Sequence, residues 1–108
     1  TNTPLQALVT LNDPVYLEAA LAFANLHSNK PYEDAIKDMF EFATYRKLSD
    51  DKLNSLINLY NDSSDFYTKS PDGLNDFYLE NKKVSKKVAS LAIVASAIMN
   101  LDEFLTHG

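Results

Sequence analysis

At 108 residues, 45% hydrophobic and 11% aromatic, the chain is long enough for one domain with one modest core. Its net charge of −5 has the wrong sign for a protein that gains affinity by neutralising phosphates, so nucleic acid is not an expected partner. The absence of cysteine excludes disulfides, thiolate metal sites, a thiol nucleophile and covalent haem attachment.

Two glycines and four prolines favour helices over a turn-rich β architecture. In the first stretch, "TPLQALVTLNDP" from Thr3 to Pro14, two helix starts follow one another closely. Thr3 at the N-cap, Pro4 in the first helical position and Gln6 three residues after the cap predict a short helix from about Pro4 to Leu11. Asn12 or Asp13 then caps a second helix that starts at Pro14, with Leu17, Ala20, Leu21 and Ala24 at i, i+3, i+4 and i+7.

His27 to Lys30 form a polar break before Pro31. Ile36, Met39, Phe40 and Ala43 then repeat the helical spacing on a third helix whose first turn carries Glu33 and Asp34. Ser49 caps a fourth helix, with Leu48 and Leu53 placed as a hydrophobic staple and Leu53, Leu56, Ile57 and Tyr60 as the buried stripe. The helix extends to about Thr68, "SPDG" breaks it at Ser70 to Gly73, and "LNDFYLEN" reads as a short helix. A helix from about Val84 to Met99 is apolar on most faces and is expected at the centre, too short to span a bilayer. Asn100 ends it, and Asp102 caps a final turn holding Phe104 and Leu105. The expected fold is all-α: one domain over residues 1–108, a compact bundle or helical-hairpin array of about five to six helices around helix 84–99.

Residues able to carry chemistry are few. His27 and His107 sit in a loop and beside the C-terminus, and no serine occupies a nucleophile elbow. "NDSSDFYTKSPDG" begins like a calcium loop at Asn61, Ser63 and Asp65, but Phe66 and Asp72 stand where the loop glycine and bidentate glutamate belong. Asn61-Asp62-Ser63 is formally a glycosylation sequon. Asp13, Asp50 and Asp51 read as caps or first-turn carboxylates, and an acid–base pairing of Asp13 with Asp102 and Glu103 is the weaker alternative. The six tyrosines read mostly as core residues. Acidic residues crowd the middle of the chain, and Lys82, Lys83, Lys86 and Lys87 form its one basic cluster, which reads as a solvated face.

"TNTPLQALVTLNDPVYLEAA" at the start, the segment Ala35 to Leu53, and "AIMNLDEFLTHG" at the end resemble the C-terminal portion of the Domain of Unknown Function 1553 family, also called a planctomycete surface domain. The motif positions are Thr3, Pro4, Gln6, Asn12, Asp13, Pro14, Asn100, Asp102 and Phe104. In "ATYRKLS", Tyr45 and Leu48 stand where the family pattern has glycine and proline, so the tight turn there lacks its usual residues. The resemblance implies a secreted, periplasmic or cell-surface bacterial protein, often with cytochrome c-like domains elsewhere in its chain. It supplies no catalytic residue and no cofactor for this segment. The expectation is a non-catalytic structural or interaction module that forms the tail of a larger protein and has the remainder of that protein as its partner. An autonomous protein- or glycan-binding helical adaptor is the alternative.

Overall fold

The computed structural model describes residues 14–75 and 77–100. The expected helix over Pro4 to Leu11, the caps Asn12 and Asp13, and the final turn with Asp102 and Phe104 lie outside the described residues. Four α-helices make up most of the described chain: α1 (Pro14–Leu26), α2 (Tyr32–Thr44), α3 (Asp50–Lys69) and α4 (Lys86–Met99). This agrees with a helical fold, and a count of five to six helices is not reached among the described residues.

Each helix buries the stripe that its sequence period marks. Ala20, Leu21 and Ala24 of α1 and Ile36, Met39, Phe40 and Ala43 of α2 are buried, with Leu17 packed at the edge. Leu56 and Tyr60 of α3 are buried, and Leu53 and Ile57 flank them. Ser49 caps α3 by accepting a hydrogen bond from the Lys52 N–H at 3.3 Å, while Leu48 and Leu53 both pack on the core as a staple requires. Through "NDSSD" the helix stays unbroken, because Ser63 is fully buried and satisfies its hydroxyl by donating to the Leu59 carbonyl at 2.8 Å.

α4 is the central element. Val88 to Ser96 and Ile98 are all buried, and α1, α2 and α3 each pack against it. It starts two residues later than expected, at Lys86, because Ser85 takes the N-cap position and accepts from the Val88 N–H at 3.1 Å. Asn100 ends it, its N–H reaching the Ser96 and Ala97 carbonyls and its side-chain Nδ2 donating to Ser96 O at 2.8 Å.

The short helix expected over "LNDFYLEN" is not formed. A 3₁₀ turn (Pro71–Leu74) leads instead into a hairpin of β1 (Tyr78–Leu79) and β2 (Lys82–Lys83), paired antiparallel with Tyr78 opposite Lys83. Glu80 and Asn81 both take positive φ, 53° and 67°, the sign pattern of a two-residue type I′ loop. Phe77 is buried against the core and accepts from the Val84 N–H at 3.2 Å, which anchors the hairpin base. Burial of that one ring, in contact with Tyr67, outweighs the helical spacing of the segment.

Candidate interaction surfaces

Of the motif positions singled out in the sequence, Pro14 opens α1 and Asn100 closes α4, so both mark helix boundaries. Thr3, Pro4, Gln6, Asn12, Asp13, Asp102 and Phe104 lie outside the described residues, as do Glu103 and His107. Asp50 and Asp51 occupy the first turn of α3, as expected of carboxylates attracted to a helix N-terminus.

Asn61, Ser63 and Asp65 lie on continuous α-helix rather than on a cation-binding loop, and buried Ser63 removes Asn61-Asp62-Ser63 as an accessible sequon. Among the described residues no group of three or more His, Asp or Glu side chains is arranged to hold a metal ion. The described tyrosines are dispersed: Tyr60 and Tyr67 are buried, Tyr32 stacks on Tyr60 at 4.4 Å, and Tyr45 and Tyr78 are exposed on separate elements.

Two surfaces stand out. The first is apolar and lies where α1, α2 and the C-terminal end of α4 meet. Ala19, Phe23, Phe42, Ala43 and Met99 line an open depression of about 210 Å³. Phe42 is 66% exposed, a large apolar area to leave in water. Its ring lies 6.0 Å from Phe23 and 6.4 Å from the His27 imidazole, and Phe23 meets His27 edge-on at 5.4 Å.

Both ring nitrogens of His27 are enclosed and make no hydrogen bond. Burial holds the His27 pKa below its ordinary value, the Lys30 charge adds to that effect, and Asp38 opposes it. Lys30 donates to the Asp38 carboxylate, and that bond holds Asp38 below the usual carboxylate range. Imidazole and aromatic rings therefore form one continuous neutral face near pH 7. Phe23 and Phe42 are absent from the stripes read from the sequence: Phe23 packs at the edge of the core, and Phe42 continues the i, i+4, i+7 line of buried Ala35 and Met39, so nothing in either helix alone marks them as one surface.

The second surface is a polar cleft of about 500 Å³ at the N-terminal end of α4. The end of α1 supplies Asn25 and Ser28, the hairpin supplies Leu79, Glu80, Lys82 and Lys83, and Val84, Ser85 and Val88 complete the lining. Lys86 donates to Thr68 Oγ1 at 2.8 Å and Lys87 to the Lys30 carbonyl at 2.7 Å, fixing both ammonium groups beside α4.

No curated protein and no solved structure matches the chain. Residues 1–60 match the family described as PSD1, Protein of unknown function (DUF1553). The match contains the opening motif, α1, α2 and the first half of α3, whereas the closing motif from Asn100 lies beyond it. With more than half of its length matched, the chain belongs to the DUF1553 family.

Proposed function

We propose that this chain is a non-catalytic helical packing module of a larger bacterial protein of the envelope or extracellular space, and that it seats its apolar face on the remainder of that protein. The observation that carries this reading is Phe42, which is 66% exposed beside the depression lined by Phe23, Ala43 and Met99. An aromatic in water at the centre of an apolar patch has the character of an interface anchor. The neutral state of His27 adds to the same face, since its already enclosed ring nitrogens bring no charge to the apolar surface. The described buried hydroxyls of Thr44 and Ser63 donate to backbone carbonyls within their own helices, a structural use of groups that would otherwise be candidates for chemistry.

Titration calorimetry of the chain against the remaining portion of its parent protein tests the proposal. Saturable binding with a negative heat-capacity change is expected, and Phe42→Asp is expected to weaken it by at least about tenfold while leaving the helical circular-dichroism spectrum unchanged, as truncation of an aromatic anchor does. Binding that ignores Phe42→Asp, or no binding by a cooperatively folded chain, would overturn it.

A further inference from the structure

The lysine cluster has a geometry that its sequence does not reveal. Lys82, Lys83, Lys86 and Lys87 account for four of the ten lysines and arginines of an otherwise acidic chain. None of the four meets a carboxylate within ion-pair distance among the described residues, in contrast to Lys30, which pairs with Asp38. Lys83, Lys86 and Lys87 instead donate to neutral oxygens, those of Asn75, Thr68 and Lys30. Their charges are thus held in place without being neutralised, and Lys82 and Lys83 stand exposed on the wall of the 500 Å³ cleft.

We propose that this cleft binds a short acidic peptide segment of a partner protein, independently of the apolar face at the opposite end of α4. Lysine ammonium groups are compact point charges that pair with separately placed carboxylates, without the planar fork that favours phosphate. Leu79, Val84 and Val88 give the cleft an apolar strip for a side chain between those carboxylates. Asn25, Ser28 and Ser85 also line the cleft, and Ser28 Oγ, which donates to the Asn25 carbonyl, can still accept while Ser85 Oγ, which accepts from the Val88 N–H, can still donate to a peptide backbone. Glu80 is the single carboxylate among the described lining residues.

A long polyanion fits less well. Exposed Asp50, Asp51, Asp62, Asp65 and Asp72 on α3 and the turn after it, within a chain of net charge −5, repel a nucleic acid or anionic membrane that extends past the cleft.

The test is fluorescence anisotropy of the full chain, at physiological ionic strength, with a short labelled peptide of alternating glutamate and leucine. Saturable binding is expected, weakened at least about tenfold by Lys82→Glu with Lys83→Glu and changed less than about twofold by Lys37→Glu with Lys47→Glu, two exposed lysines outside the cleft lining whose replacement alters net charge equally. Amide shift changes in the wild-type chain should concentrate at Ser28 and over residues 82–88, which locates the site without any variant. Equal weakening by both double variants, shift changes spread over the molecule, or tighter binding of a labelled oligothymidylate than of the peptide would overturn the proposal.

Discussion

The residues with the most to say singly are the buried polar ones. Tyr67 is 1% exposed and its hydroxyl has no hydrogen-bond partner, so burial pushes its pKa far up and keeps it protonated. Ser90 is likewise fully buried with its hydroxyl unpartnered. Each sacrifices a hydration shell for packing, which is tolerable only because the surrounding core is extensive. His27 makes the same compromise with a titratable group. Its pKa is lowered on folding, so between the folded-state value and about 6.5 the unfolded chain binds more protons than the folded one. Stability is therefore expected to fall as the pH drops from 7 through 6.5 and to level off below the folded-state value. Asp38, also lowered, acts only as the pH falls through the acid range below its ordinary value of 3.8. Urea denaturation of the wild type and of His27→Phe at pH 7 and pH 5 should show the loss in the wild type and a smaller one in the variant. An identical pH dependence in both would remove His27 as the cause.

At the level of elements, the helix ends show how local chemistry fixes boundaries. Ser49 and Ser85 each accept from the N–H three residues on, so α3 and α4 start where the sequence offers a hydroxyl. α2 ends differently. Tyr45 adopts the left-handed conformation, φ 58° and ψ 24°, and its N–H bonds to the Glu41 carbonyl at 2.9 Å. The turn for which the family pattern has glycine is thus kept by a tyrosine, supported by buried Thr44, whose Oγ1 accepts from the Arg46 N–H at 3.2 Å. A residue with a Cβ pays about 1–2 kcal/mol in that region. Tyr45→Gly is accordingly expected to stabilise the protein by about 1 kcal/mol, read as a higher urea midpoint at unchanged slope. A lower midpoint would mean that contacts of the exposed tyrosine ring outweigh the relief of strain.

For the molecule as a whole, α4 is the keystone. It lies against α1, α2 and α3, and its small residues Ala89, Ala92 and Ala95 are fully buried, which lets neighbouring elements approach its backbone closely. Its large residues Leu91, Ile93 and Ile98 are equally buried and fill the spaces between. Ile93→Ala is expected to cost about 2–5 kcal/mol, because a cavity on a helix held from three sides cannot collapse freely. Against a typical total of about 5–15 kcal/mol, that would lower the thermal midpoint strongly while preserving one cooperative transition. A small change would mean that the surrounding helices close up around the lost methyl and methylene groups. The two proposed binding surfaces meet this helix at different ends, at Met99 and at Ser85 with Val88, so Phe42 and Lys82 can be altered separately.

The amino-acid sequence by itself determined the helices and their inward faces. Period 3.6 in Leu17 to Ala24, Ile36 to Ala43 and Leu53 to Tyr60 is a property of one helix, and the apolar girth of Val88 to Met99 already demanded a central position. The Ser49 cap and the Leu48–Leu53 staple were legible for the same reason, being contacts within a few residues. Only the tertiary structure decided what depends on distant partners. The segment from Tyr78 to Lys83 became a hairpin once Phe77 entered the core, although its spacing alone read as helix. Phe23 and Phe42 became one apolar face because two different helices bring them side by side. Lys82 and Lys83 became the wall of a cleft because the end of α1 packs beside the start of α4 and closes its other side. Periodicity records the environment of a single element, whereas a surface is a relation between elements, and that relation exists only after the chain has folded.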